Sequence, residues 1–530
     1  MILRNYWLAM GIAAVFAVTG QGRAAAQTLT MGDVNTVIAQ AAQAAIASGD
    51  TTAVIAVSDR EGYILGVYGV SGPPGGLTEI NAIDKAGTSA YLSSNGEAFT
   101  SRTAGFIIQP HFPPGIMNTG TGPLTGVGLS SLPFSDINHF RNPATPAAGI
   151  PNTSLSGNPG GVPLYKGGVL VGGVGVDSNT ILSALVYVDG QDIDENIAVA
   201  AQSGYTPPSG ILATQVLING IRLPYTSFSG GSLGSATLNL ANFDPAFPAT
   251  PSPGHAFNTV TPSPFPDIPG GEVRNQFIGS AVPGGLSAAE VSTILHQGAV
   301  RASQTRGAIR NPIGPAEVFI VVVDYYNPPV PPATAPGTVP VLATSPPTSV
   351  PQVLGSFRTP DATIFSYDVA AQKARTALFF SNNVMAMSSR AVGFLAQGTY
   401  PPGIDGTAFG PYGPPTYGPS NPNFPVATLF APPFGIQTAV SILPNAGIPL
   451  TPINAYLPNG ITVFPGGFPL YRNGVLIGAV GVSGDGVDQD DIIAAAATVG
   501  FEAPTAIRAD EYTYRGARLP YAKFPQNASL

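Results

Sequence analysis

The feature that most constrains this chain is an internal repeat. Residues 163–176 read PLYKGGVLVGGVGV, and residues 469–482, which begin 306 positions later, read PLYRNGVLIGAVGV. Ten of the fourteen positions are identical. Self-similarity at a long period is the signature of one structural unit used more than once. The block therefore predicts two domains of the same kind in one chain.

Shorter blocks repeat in the same order around this one. LTMGDVNTV at residue 29 matches LSAAEVSTI at residue 286, and Arg-Leu-Pro-Tyr at residue 222 matches the same four residues at 518. The offset varies between 257 and 306 residues, so the loops between blocks differ in length. These matches predict a first copy over residues 28–229 and a second copy over residues 285–530. Residues 230–284, rich in Gly, Pro and Ser, are predicted to link them.

Each copy opens with the same helix signal. Thr30 and Ser287 are N-cap residues, and an acidic side chain follows three positions later in both copies, at Asp33 and Glu290. Apolar residues then recur at helical spacing, which predicts an amphipathic helix. A short apolar strand follows in each copy, and then an alanine-rich helix.

The repeated block itself reads as a β-hairpin. Gly167-Gly168 and Asn473-Gly474 separate two apolar runs, and Asn-Gly is a strong signal for a two-residue turn. A last helix is predicted near Asp192 and Asp488, because acidic residues favour the first turn. The order α-β-β-α-β-β-α predicts an α+β fold, in which each domain has a mainly antiparallel sheet flanked by helices.

Composition limits the classes of protein that remain. The chain has 65 Gly and 55 Pro, but 44% of its residues are hydrophobic and only 9% are charged, which favours ordered domains with long Pro/Gly-rich loops such as residues 327–351. The net charge of −8 argues against a nucleic-acid partner. Because the chain has no cysteine, disulfides, thiolate metal sites and covalently attached haem are excluded.

The N-terminus reads as an export signal. Arg4 precedes an apolar run at residues 8–18, and small residues follow at 24–26, the pattern that signal peptidase recognises. We therefore expect a signal peptide over residues 1–26, cleaved after Ala26, and a secreted or periplasmic protein that has no membrane attachment after cleavage. An uncleaved N-terminal anchor is the alternative.

The repeated blocks resemble the GlcG/HbpS-like family of haem-binding and haem-degrading proteins, which includes the C-terminal domain of PduO. The resemblance covers residues 28–205 and 286–503. It is carried by the strands ending in Asp59 and Asp324, by Lys-Ala-x-Thr in the middle helix, and by the PLY block. The second copy also has Gly-Val-Ser-Gly ending at residue 484, followed by Gln-Asp-Asp at 489–491. The first copy departs from the motif, because Asp177 replaces the serine and residues 178–188 intervene.

The resemblance implies a ligand and an assembly. Non-covalent haem b is the implied ligand, with another small tetrapyrrole or another anionic small molecule as the alternative. Members of the family associate, so two copies in one chain imply a pseudo-dimer with an approximate two-fold axis and a possible homo-oligomer.

Six residues are candidates for binding this ligand. His296 lies on the opening helix of the second copy and is the candidate iron ligand, with a structural histidine as the alternative. His111 is a weaker candidate of the same kind. The paired cations of the two copies would hold a propionate or another carboxylate, or would instead be solvated or cap carbonyl groups. These cations are Lys85, Lys373, Arg102 and Arg390.

Three functions remain open at this stage. The first is an exported haem- or tetrapyrrole-binding protein for sensing, storage or uptake. The second is a ligand-free structural or partner-binding protein that uses the same fold as an assembly scaffold. An enzyme is the least favoured, because Asp59 and Asp324 read as turn residues and no nucleophile motif is present.

The export signal gives a direct prediction. N-terminal sequencing of the protein purified from its native source should begin at Gln27, because the small residues at 24–26 form the cleavage site. Recovery of an intact Met1 from a membrane fraction would contradict cleavage.

Overall fold

The computed structural model describes most of the two repeated regions. The described residues are 27–108, 112–114, 116, 122–124, 136, 155–178, 192–227, 231, 233–254, 260–275, 277–309, 314–325, 352–396, 399–402, 407, 408, 410, 462 and 464–523. The predicted signal peptide and the proline-rich loop at 327–351 lie outside them. Within these ranges no helix has both the length and the apolar character needed to cross a bilayer.

The first half is a four-stranded antiparallel sheet between helices. Its elements are α1 (Met31–Ser48), β1 (Val54–Asp59), β2 (Ile64–Gly69), α2 (Gly76–Leu92), α3 (Ser101–Ile107), β3 (Gly161–Lys166), β4 (Val169–Asp177) and α4 (Ile193–Ala201). The strand order is β2-β1-β4-β3. A two-residue-strand hairpin, β5 (Leu217–Ile218) and β6 (Ile221–Arg222), follows α4.

Both faces of this sheet are covered, which explains its continuous apolar strands. In β1, Ile55 and Val57 pack with α1 and α4, whereas Val54 and Ala56 pack with α2. A strand that is buried on both faces loses the usual alternation of apolar and polar residues. The helices therefore lie in two layers, with the sheet between them.

The second half has the same order of elements on a larger sheet. Between the halves lie β7 (Thr261–Pro262) and β8 (Glu272–Asn275). The second half then contains α5 (Ala288–Gln304), β9 (Phe319–Asp324), β10 (Val353–Arg358), α6 (Ser366–Phe379), α7 (Ser389–Leu395), β11 (Gly467–Arg472), β12 (Val475–Ser483), α8 (Val487–Ala497), β13 (Thr513–Tyr514) and β14 (Ala517–Arg518). The six-stranded sheet has the order β11-β12-β9-β10-β8-β7.

Glycines in the repeated block allow the covering helix to approach the sheet closely. A Cβ atom on Gly175 of β4 would collide with the Ala82 carbonyl of α2, and one on Gly481 of β12 would collide with the Ala370 carbonyl of α6. The repeated glycines thus serve helix–strand packing.

The predicted local signals are confirmed. Thr30 and Ser287 are the N-caps of α1 and α5, each in a reciprocal pair with the acidic residue three positions later. Both hairpins turn on two residues with positive φ, which are 56° and 83° at Gly167 and Gly168, and 52° and 80° at Asn473 and Gly474.

The segment between the halves covers exposed sheet edges. The Val67 N–H of β2 donates to the Phe247 carbonyl, and the Asp244 N–H donates to the Val67 carbonyl, both at 3.0 Å. On the other sheet, β8 pairs with β10. Unpaired edges recruit other strands, so this segment protects both sheets as well as joining them.

The two halves contact each other through unlike surfaces. The carboxylate of Asp361 accepts hydrogen bonds from the Asn95 and Gly96 N–H groups of the first half, both at 2.9 Å. A two-fold axis would place Phe365 and its counterpart in the first half, Leu77, in equivalent surroundings. Phe365 is 5% exposed, whereas its counterpart Leu77 is 42% exposed. The expected two-fold relation within the chain is therefore wrong, because the apolar residues that bury the contact differ between the halves.

A fully buried ion pair joins the first half to the connecting segment. Arg274 on β8 donates to both carboxylate oxygens of Glu61 at 2.9 and 3.0 Å, and neither side chain is exposed. Glu272 also lies 3.0 Å from Arg274. A buried charge is strongly destabilising when its partner is removed, so this ion pair holds β8 in one position against the first half.

We predict that Arg274→Met lowers the free energy of unfolding by about 3–5 kcal/mol, because it removes the arginine that binds both oxygens of the buried Glu61 carboxylate. Urea denaturation measures the change. As a control, the double variant Glu61→Leu/Arg274→Met removes both charges and should recover much of the loss. An equal or larger loss in the double variant would contradict the argument.

Candidate ligand-binding site

A cleft of about 420 Å³ lies between the two halves. Its residues come mainly from the second half, with one wall from the β5–β6 hairpin and residues 123–124 of the first half. The apolar residues of the lining are Pro123, Leu124, Leu217, Ile218, Ala308, Ile309, Phe365, Val369, Phe464 and Val487. The polar residues are Asn219, Lys373, Ser483, Asp488, Gln489 and Asp490.

Lys373 is the only cation among the described residues of this lining. The helix α6 places its Nζ where it donates to the Val482 carbonyl at 2.9 Å and to the Asp490 carboxylate at 2.7 Å. The side chain is 1% exposed. Burial lowers the pKa of Lys373, and the carboxylate of Asp490 offsets only part of that effect.

Asp490 is the carboxylate partner of Lys373 at the cleft. Its Oδ2 accepts from the Lys373 ammonium at 2.7 Å, and the carboxylate also accepts a backbone hydrogen bond from Gly484. Burial raises the pKa of Asp490, and Lys373 acts in the opposite direction.

The equivalent lysine of the first half has an additional carboxylate. The Nζ of Lys85 lies 2.7 Å from Oδ1 of Asp177 and 2.8 Å from Oδ2 of Asp194, and it donates to the Val176 carbonyl at 2.8 Å. Burial acts to lower the pKa of Lys85, but the two carboxylates outweigh it and raise that pKa. Ser483 occupies the position of Asp177 in the second half, so the two sites differ by one negative charge.

The two predicted arginines form ion pairs outside this lining. Arg102 donates from Nε to Glu195 at 2.8 Å. Arg390 donates to Asp491 and to Asp488, both at 2.8 Å. Each arginine ties the short helix α3 or α7 to the last helix of its half. The structure therefore places Lys373 in the lining of the cleft. Arg390 is not part of the lining, but it is paired with Asp488, which is.

His296 lies elsewhere. Its Nε2 is 2.8 Å from the Asp267 carboxylate, and its ring packs on Phe265 with the centroids 4.6 Å apart. The imidazole is 41% exposed and does not contribute to the described lining of the cleft. His111 lies outside the described residues. The structure thus does not bring His296 together with Lys373.

The described residues contain no cluster of three or more His, Asp or Glu side chains suited to a metal ion. The described lining of the cleft includes no His, Tyr or Met, the side chains that commonly ligate haem iron in a chain without cysteine. Its described part fits an apolar ring with an anionic group better than it fits iron coordination.

The turn role predicted for Asp59 is supported by its hydrogen bonds. One carboxylate oxygen accepts from the N–H groups of Glu61 and Tyr63 at 2.9 Å, and the other accepts from the Ser252 hydroxyl at 2.9 Å. Asp324 accepts from the Tyr325 N–H at 2.8 Å. Burial, and then the charge of Glu61, raise the pKa of Asp59 to about 7.

This raised pKa gives a pH-dependence prediction. Because the pKa of Asp59 is higher in the folded state than the ordinary value of 3.8, its contribution to stability is fully present below about pH 4 and is lost as the pH rises through 7. Relative to Asp59→Asn, the wild type should lose free energy of unfolding over this range, at about 1.4 kcal/mol per unit of pKa difference. Urea denaturation at pH 4, 5.5 and 7 tests it, and a pH-independent difference would contradict it.

One wall of the cleft was not predicted from the sequence. The repeated Arg222-Leu223-Pro224-Tyr225 marks only the matching of the two copies, whereas the hairpin just before it supplies Leu217, Ile218 and Asn219. Asn219-Gly220 is an Asn-Gly turn with positive φ at both residues, and this signal was available in the sequence.

Comparison with known proteins gives two likenesses. Residues 349–498 match the family model described as "Haem degrading protein HbpS-like". A solved structure titled "Crystal Structure of PduOC:Heme Complex" is 21% identical, covers 42% of this chain and 98% of its own, and has a TM-score of 0.22. Among curated proteins, no match is found.

Proposed function

We propose that this protein binds haem or a similar anionic tetrapyrrole in the cleft between its halves. The observation that carries the proposal is Lys373, a buried ammonium group in a cleft that combines apolar walls with a polar floor. The match of residues 349–498 to an HbpS-like family model supports a haem-related ligand over other small molecules that carry a carboxylate. The family description names haem degradation, and the proposal is limited to binding.

The shape and chemistry of the cleft support such a ligand. Binding pockets for small molecules commonly enclose about 300–1,000 Å³ and combine apolar walls with a few placed polar groups. The apolar walls here would contact the ring. A propionate would meet Lys373 as a charge-assisted pair, with the N–H groups near the start of α8 adding favourable dipoles.

The second half is better suited to an anion than the first. Lys373 is paired directly with one carboxylate, that of Asp490, because Ser483 is neutral, and the nearby Asp488 and Asp491 are paired with Arg390. Around Lys85 two carboxylates already exceed one ammonium. An incoming propionate would be repelled there, so we propose one such site in each chain.

The iron ligand is a separate hypothesis. Since the described lining holds no imidazole, we propose that the ring and its carboxylate supply most of the affinity. His296 remains the candidate from the sequence for an iron ligand, and its variant tests that role independently of Lys373.

We further propose that both halves are copies of one domain and that the chain is exported. The shared strand order, shared hairpin turns and equivalent buried lysines support duplication. The pattern at residues 1–26 supports export. Sensing, storage or uptake of the tetrapyrrole outside the cytoplasm is the role consistent with both.

Titration with haemin and with metal-free protoporphyrin IX tests the proposed site. Ser483→Asp copies the Lys85–Asp177 arrangement, so it should fold while opposing the ligand carboxylate. We expect it to weaken both ligands by about 2 kcal/mol, the range for a hydrogen bond to a charged group. Soret absorbance reports haemin, and porphyrin fluorescence reports the metal-free ring.

Two variants serve as controls. Asp177→Ser makes the reciprocal change in the first half, away from this cleft, and should leave the affinity of the cleft around Lys373 for both ligands unchanged. His296→Ala should alter the Soret position only if that imidazole ligates iron. If the wild type binds neither ligand, the proposal fails and the ligand-free scaffold gains support, because both lysines would then serve only their ion pairs.

A further inference from the structure

Because the two halves meet through unlike surfaces, one surface of each kind is not covered by the other half within the described part of the chain. We define the back surface by the loop of residues 94–97 and the β5–β6 hairpin in the first half, and by residues 382–385 and the β13–β14 hairpin in the second. The front surface comprises the start of the helix that covers the sheet, α2 in the first half and α6 in the second. It also includes the end of the second hairpin strand, β4 in the first half and β12 in the second. Within the chain, the back of the first half covers the front of the second.

The two unused surfaces expose apolar residues at the equivalent positions. On the front of the first half, Leu77 is the counterpart of buried Phe365 and is exposed. On the back of the second half, Val384 is exposed where Gly96 is covered by Asp361. A contact that repeats the one inside the chain would bury both of these exposed apolar side chains.

We propose that a second copy of this chain docks head to tail, with its β13–β14 hairpin seated at the front of the first half. The new contact would be a variant of the contact already present between the halves. The second copy would thereby contribute residues to the site around Lys85, as the β5–β6 hairpin contributes to the cleft around Lys373.

The charges of the two contacts differ in a complementary way. Inside the chain, Asn219 at the hairpin tip and Ser483 at the strand end line the same cleft, and both are neutral. The residue at the position of Asn219 in the second hairpin is Arg515, and the residue at the position of Ser483 in the first half is Asp177. The neutral residues Asn219 and Ser483 within the chain would therefore be replaced by the oppositely charged Arg515 and Asp177 in the contact between chains.

The surroundings of both residues favour this pairing. Asp177 and Asp194 place two carboxylates on the single ammonium of Lys85, which leaves an excess negative charge. Arg515 is exposed at the hairpin tip, with its guanidinium 5.1 Å from the centre of the Tyr514 ring. An arginine brought to this acidic front would balance the excess and fix the register of docking.

A head-to-tail contact has a defined consequence for assembly. The surfaces it joins are different, so each added copy again presents one free surface of each kind. Such contacts close into rings when the rotation permits and otherwise extend as filaments. A two-fold dimer would instead stop at two chains.

Sedimentation velocity of the purified protein at several concentrations and salt levels tests the proposal. We expect the wild type to associate reversibly, and Arg515→Glu to weaken association by at least about tenfold, most strongly at low salt. Leu240→Asp is the matched control, because Leu240 is an exposed apolar residue of the connecting segment and belongs to neither surface. Circular dichroism melting establishes that each variant is folded.

A mixing experiment distinguishes head-to-tail docking from a two-fold dimer. Leu77→Asp disables the front surface, and Val384→Asp disables the back, so each variant alone should be monomeric. Mixed together, they should form a one-to-one complex that does not grow, because one intact surface of each kind remains. A monomeric wild type, a mixture that fails to associate, or unchanged association of Arg515→Glu would overturn the proposal.

Discussion

A buried lysine in each half determines where the other elements can lie. Lys85 and Lys373 sit on the helix that covers the sheet, and each donates both to a carbonyl near the end of the hairpin strand and to a carboxylate on the last helix. A buried ammonium is tolerated only with such partners, so the covering helix, the strand end and the last helix are held in one arrangement. The cleft floor in the second half is part of that arrangement.

The glycines of the repeated block make this interaction sterically possible. A Cβ on Gly160 would lie 3.0 Å from the Nζ of Lys85, and one on Gly466 would lie 3.2 Å from the Nζ of Lys373. Both glycines have positive φ. The same residue type therefore provides the backbone conformation, the space for the ammonium group and, at Gly175 and Gly481, the close approach of the helix.

Local interactions account for what the sequence could predict. The N-caps at Thr30 and Ser287 and the two-residue hairpin turns depend on residues within a few positions of one another, so their patterns are sufficient. The environment of His296 depends on Asp267 and Phe265, which come from a connecting segment with no regular pattern. The relation between the halves depends on which apolar residues each surface presents, and the repeat, which shows only that the halves are alike, suggested the wrong symmetry. The position of Lys373 was predictable from the repeat, but its place at a cleft completed by the first half was not.

Because the two halves contact each other through different surfaces, binding of the proposed ligand is coupled to the way in which they pack. The β5–β6 hairpin and Leu124 of the first half form one wall of a cleft whose floor belongs to the second half. A ligand in this cleft contacts both halves only when they are packed as in this structure, so its binding energy adds to the stability of that packing. The hydrogen bonds from the N–H groups at residues 95–96 to Asp361 act in the same direction in the absence of ligand. In the proposed site, two halves of the same architecture would therefore contribute differently: the second carries the cation and the neutral strand end, and the first supplies the hairpin that encloses them.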